Sequence, residues 1–150
     1  MTDLFVISIS TPIKIGIYED TKLIKTVSSE EKTSDSLPKL FNEILKNYTI
    51  DSIYFINGPG SFMAIKASYI FLKTLSIIKG YPLFASDGFA FNNNQPIKAH
   101  GTSYFMKENG KIYTVKLDRQ KSHISFDLPE TLDKSLFHQE CEPLYILPAV

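Results

Sequence analysis

The sequence predicts an α/β domain in which three strands, a helix, a strand and a second helix (βββαβα) build one mixed sheet. Three observations carry that prediction. Short apolar runs at 4–9, 13–17 and 23–27 are separated by turn residues, as in an antiparallel meander. Two stretches, 36–46 and 62–79, have helical spacing of their apolar residues. Short β-prone runs at 53–56 and 83–85 sit on either side of the second stretch, the order of strand–helix–strand units.

Leu4 to Ile9 is almost continuously apolar, which predicts a strand covered on both faces. Ile13, Ile15 and Ile17 alternate with Lys14, Gly16 and Tyr18, which predicts a half-buried strand. Glu19-Asp20-Thr21 suits a hairpin turn into Leu23–Val27. The polar run Ser28–Ser36 reads as a loop and helix start, with Asp35 or Ser36 as cap and Pro38 in the first turn. Leu37, Leu40, Phe41, Ile44 and Leu45 then mark the apolar side of a helix, while Lys39, Glu43 and Lys46 mark its wet side.

After the strand Ile53–Ile56, Asn57-Gly58-Pro59-Gly60-Ser61 permits a sharp turn, and Ser61 suits the cap of the next helix. Gly80 supplies the left-handed stop and Pro82 prevents continuation. Leu83–Ala85 is a further strand, FNNNQP a loop, and YFMKENGKIYTVKL a hairpin turning at Asn109-Gly110. His123–Phe126 and Leu144–Leu147 are expected to be strands.

The 150 residues suffice for one domain with a real core. Sixteen basic residues balance sixteen acidic ones, which removes any global drive toward nucleic acid or anionic membrane. Asp3 and the absence of a positive n-region make the first residues read as a strand and not a signal peptide. No apolar run approaches the roughly 18 residues that span a bilayer, so a cytoplasmic location is expected. The lone Cys141 makes no internal disulfide, and His100, His123 and His138 lack metal-ligand spacing.

The segment 62–79 is unusual. Lys66 and Lys73 share one narrow stripe, and nearly every other direction holds an apolar or small residue. A helix apolar almost all round is normally buried on more than one side, and one small sheet covers only one. Either the polar loops and the first helix cover the remaining sides, or both helices form a subunit interface, expected around Leu37, Phe41, Ala64, Ala67, Ser68 and Phe71. The small residues 64, 67 and 68 would let a partner helix approach to roughly 8 Å.

Catalytic signals are sparse. Gly58, Pro59, Gly60 and Ser61 lack the GK[ST] ending of a P-loop, so they read first as a structural turn and only secondarily as an anion site. Ser61 has no neighbouring base and no GxSxG elbow. Asp87 and Asp118 are isolated carboxylates suited to caps or turns, and Cys141 reads as an inert thiol.

Asn57-Gly58-Pro59-Gly60-Ser61-Phe62, followed by an apolar helix ending Lys79-Gly80-Tyr81-Pro82-Leu83, resembles the GPGSFTGLR…GLALALGIPL stretch of the TsaB family, also called YeaZ. Ile7-Ser8-Ile9-Ser10-Thr11 is similar to that family's IDTST strand, and Thr33-Ser34-Asp35 sits at its HSE segment. Lys111-Ile112-Tyr113 and Pro143-Leu144-Tyr145-Ile146-Leu147 resemble its EVY strand and PxYLR terminus. Departures are Ser8 for the family's aspartate, and Met63, Ala64 and Lys66 for its Thr, Gly and Arg.

The resemblance implies the N-terminal lobe of an actin-like ATPase (RNase H-like) fold at 1–90, with a short, mostly β remnant of the second lobe at 91–150. It implies a non-catalytic subunit supporting TsaD in threonylcarbamoyl transfer to tRNA adenosine (t6A). Partners would be a TsaD-like protein, with a TsaE-like ATPase reached through the complex, or a second copy in isolation. Direct nucleic-acid contact, a bound cofactor and a metal are not expected. The competing reading is a small nucleotide-binding or hydrolytic enzyme that uses the Gly58–Ser61 turn.

Overall fold

The computed structural model describes residues 1–99, 101–117 and 125–146. Its elements are β1 (Thr2–Ile7), β2 (Ile13–Glu19), β3 (Lys22–Ser29), α1 (Thr33–Asn47), β4 (Ser52–Ile56), α2 (Phe62–Lys79), β5 (Leu83–Ser86), β6 (Ile97–Lys98), β7 (Ser103–Glu108) and β8 (Lys111–Lys116). The main sheet has the order β3-β2-β1-β4-β5. β1, β2 and β3 are antiparallel neighbours, whereas β4 and β5 run parallel to β1. The expected mixed sheet and its two helices are therefore present, with β1 at the centre.

Alternation along β1 divides the core in two. Leu4 and Val6 join Ile15, Ile53, Phe55, Leu37, Phe41 and Leu72 beneath the helices. Phe5 and Ile7 join Tyr18, Tyr54, Phe91, Phe105 and Phe126 on the opposite face. The β2–β3 turn places Asp20 and Thr21 at positive φ, and Asn109 and Gly110 do the same between β7 and β8. Those two hairpins fall where the turn residues put them.

Several expectations need correction. β2 is buried on both faces, not half-buried: Gly16 and Tyr18 lie inside. A Cβ on Gly16 would come within 2.7 Å of the Tyr18 ring, so only glycine leaves that ring its place. The cover comes from the segment 126–138. Tyr18 OH donates to Pro129 O at 2.7 Å, and Lys14 Nζ donates to Phe126 O at 2.8 Å. Burial pushes the Tyr18 phenol well above its ordinary range.

The same segment bridges Lys22 to Thr131 at the β3 edge and Ala85 to His138 at the β5 edge. Both outer strands of the sheet thus gain a partner that blunts them. Between those bridges Phe137 packs on Phe5, Tyr54 and Phe91. Lys134 Nζ lies 3.3 Å from the buried carboxylate of Asp3.

Phe126 and 144–146 belong to no strand, contrary to expectation. They make local contacts and not a ladder; His123 and Leu147 lie outside the described residues, as do His100 and Asp118. α1 begins at Thr33, ahead of both expected caps, so Pro38 falls in the second turn. The Thr33 hydroxyl donates to Ser8 O at 2.8 Å, which anchors this earlier start to the end of β1. Ser36 turns inward to Glu31 O and Ser29 Oγ and caps nothing.

Candidate functional site: the outer face of α2

α2 occupies Phe62–Lys79 and ends at Gly80 in the left-handed conformation (φ 77°). Ser61 stands at the N-cap position, yet its side chain makes no capping hydrogen bond. Ile65, Ser68 and Leu72 face the sheet and are buried. Ser68 Oγ donates to Ala64 O at 2.8 Å and meets Ser8 Oγ at 2.6 Å. On the flank toward α1, Phe71 packs edge-on against Phe41, with ring centroids 5.3 Å apart.

The third side of α2 is open. Met63 (72% exposed), Ile70 (53%) and Ile77 (72%) stand seven residues apart on it. Ala67 and Thr74 fall between them, so 63, 67, 70, 74 and 77 step by four and three. That spacing is how a helix presents a line of knobs to a partner helix. Ile78 widens the apolar strip. Phe62, at the N-terminal end, stacks on Tyr145 and has Lys66 over its ring.

The residues expected from sequence to form an interface divide accordingly. Leu37 and Phe41 are buried in the core, and Ser68 is wholly enclosed. Those three are internal, because the sheet and the facing elements already cover them. Phe71, Ala64 and Ala67 are half-buried. Sequence reasoning found the apolar sides of the helix but left the exposed Met63, Ile70 and Ile77 out of the expected interface, although their seven-residue spacing was there to be read.

Between β4 and α2, Gly58 and Pro59 of the glycine turn are buried, whereas Ser61 is exposed. Gly58 has φ 131°, and a Cβ there would lie 3.2 Å from both Leu144 Cβ and Leu144 O. Leu144 N donates to Asn57 O, and Asn57 Nδ2 donates to Glu142 O, so residues 142–144 close over this side of the turn. None of the described hydrogen bonds engages Ser61 Oγ.

Ser8 is fully enclosed, with its hydroxyl against that of Ser68 at 2.6 Å. Among the described residues, no group of three or more His, Cys, Asp or Glu is placed to hold a metal ion.

A shallow polar cleft of about 370 Å³ lies between the end of β5 and the β7–β8 hairpin, lined by Asp87, Lys107, Asn94 and Asn109 among others. Asp87 works as a cap there: Oδ1 accepts from Phe89 N at 2.9 Å, and Oδ2 pairs with Lys107 Nζ at 2.6 Å. Cys141 is buried with Sγ donating to Leu83 O, and burial pushes its thiol up to about 11. No described helix is long and apolar enough to cross a membrane.

The fold and surface together define a class: an α/β domain whose five-stranded mixed sheet carries two helices on one face, one of them apolar toward solvent. Solved structures with that fold include two YeaZ-like proteins. One is YeaZ from Pseudomonas aeruginosa, at 13% identity and TM-score 0.61, with 84% of this chain and 71% of that chain covered. The other is described as an uncharacterized protein with similarity to peptidase YeaZ from Pseudomonas aeruginosa, at 13% identity and TM-score 0.63, covering 81% and 69%. No protein-family model matches the sequence, and no curated protein matches it.

Proposed function

We propose that this chain is a TsaB-type subunit. It docks a TsaD-like protein on α2 and holds that enzyme in the form that transfers threonylcarbamate to a tRNA adenosine. The observation that carries the reading is the exposed line Met63–Ile70–Ile77. Isolated exposed apolar residues are ordinary, but a contiguous strip on one helix marks an interaction surface. The YeaZ-like fold and the resemblance in the glycine turn name the kind of partner.

The partner role fits the burial of Gly58 and Pro59 in the turn and the enclosed Ser8 better than catalysis does. A TsaE-like ATPase would join through the TsaD-like protein. Reconstitution tests the reading. The chain and the TsaD-like protein from the same source should co-purify as a stoichiometric complex, and transfer to tRNA should require both. Transfer by the TsaD-like protein at an unchanged rate without this chain, or no complex at micromolar concentrations, would contradict it.

A further inference from the structure

The polar cleft beside the β7–β8 hairpin starts at Ser86, the last residue of β5. That strand runs parallel to β4, and β4 runs parallel to β1. Ligands of α/β sheets gather beyond the carboxyl ends of such strands. Phe89, which lines the cleft, belongs to the core on the sheet face away from the two helices. The cleft is thus separate from the outer side of α2, and what it binds is independent of the docking surface.

Its charges are balanced and adjacent. Among the described residues that line it, Asp87 is the one carboxylate and Lys107 the one ammonium, with Nζ 2.6 Å from Oδ2. Both remain partly open, at 18% and 31% exposure. Asp87 Oδ1 is committed to Phe89 N, while an ammonium that gives one N–H to Asp87 has two more to donate. Asn94 Nδ2 donates to Lys107 O at 3.2 Å, which ties the 92–95 loop to the hairpin beside the pair.

A partly buried ion pair adds little stability of its own, because both ions give up water. In a cleft it presents both signs of charge at one spot. A ligand with a single charge would meet an attraction and a repulsion there, which largely cancel. A ligand with both signs one carbon apart meets two attractions: its carboxylate accepts from Lys107 and its ammonium donates to Asp87. The volume of about 370 Å³ lies near the low end of the roughly 300–1,000 Å³ of small-molecule sites. Ser86 and Asn109 bring polar groups, and Ala90 and Leu136 apolar ones, to the space beside the pair.

We propose that this cleft binds a small zwitterion of the α-amino acid class, held head-on by Asp87 and Lys107, with a short side chain between Ser86, Asn109 and Leu136. The inference does not rest on the docking reading.

Titration of the full wild-type chain with alanine, serine and threonine, followed through its backbone amide NMR signals, tests the proposal. Saturable shifts are expected at 87–90 and 107–110, half-complete at about 1 mM or below for at least one of the three. The methyl ester of that amino acid, which lacks the carboxylate, should bind at least about ten-fold more weakly. Its N-acetyl derivative, which lacks the ammonium, should lose as much. Lys107→Met should weaken the parent amino acid by a similar factor. The two derivatives probe both charges on the wild-type chain, so the outcome does not depend on a variant that folds.

An absence of saturable shifts at 87–90 and 107–110 up to about 20 mM would overturn the proposal. So would an ester or N-acetyl derivative that binds as well as its parent, or inorganic phosphate or acetate that binds more tightly, since each makes this a site for one charge. Binding left unchanged in a folded Lys107→Met would place the amino acid elsewhere and overturn it equally.

Discussion

α1 and α2 lie on the same face of the same sheet, yet their solvent sides are opposites. The outward side of α1 carries Asp35, Lys39, Glu43 and Lys46, with Lys39 paired to Glu31 at 3.0 Å. The outward side of α2 carries Met63, Ile70, Ile77 and Ile78, all more than half exposed. Folding explains α1 completely: a helix with one apolar stripe needs one sheet. Folding does not explain the outer side of α2. Among the described residues the apolar side chains there bury little, and the proposed docking role accounts for them.

The contrast can be broken at its core side first. Phe41→Ala removes a ring buried at 2% exposure and should cost about 3–5 kcal/mol in urea titrations. Ile70→Ala, on the outer side of α2, should cost less than about 0.5 kcal/mol in the same assay. Equal losses at the two positions would mean that the outer face of α2 is covered within the folded chain.

Ser8→Asp sharpens the other boundary of α2, where the helix meets β1. Ser8 is fully enclosed and bonded to Ser68, so a carboxylate there would lose water without gaining a cation. The expected loss is about 3 kcal/mol or more, read from the urea midpoint. Calorimetry with Mg-ATP should give no low-micromolar binding in the wild type or the variant. Saturable binding by the wild type would show that Ser8 does not close this site.

Much of this was legible in the sequence, and the parts that were not share a cause. α2 spans Phe62–Lys79 as expected, because Gly80 and Pro82 punctuate it locally. The Asn109-Gly110 hairpin was legible for the same reason. The cover on Gly16 and Tyr18 was not, since it comes from a segment more than a hundred residues away whose apolar residues have no period. β6 is two residues long and leaves no periodic trace. On α2 the pattern revealed an excess of apolar sides but not which of them the chain covers. That depends on where α1 packs, and Leu37, Phe41 and Ser68 went inside.

Cys141 gives a smaller effect that probes how firmly the C-terminal segment closes over the sheet. Burial raises its thiol from 9.0 to about 11 in the folded chain, so the folded state holds that proton more tightly than the unfolded one. Stability from this group is whole below about pH 9 and is lost as pH rises toward 11. Wild type should lose about 1–2 kcal/mol more than Cys141→Ala over that interval. Parallel urea curves for the two proteins across it would show that the thiol is wet.

The central claim is that the outer face of α2 is built for another chain and contributes almost nothing to this one. Ile70→Glu tests it most directly, by measuring urea stability and binding to the TsaD-like protein on the same preparation. Stability should change by less than about 0.5 kcal/mol, because the side chain stays in water, while binding should be lost. A variant that binds like wild type, or one that unfolds, would contradict the account.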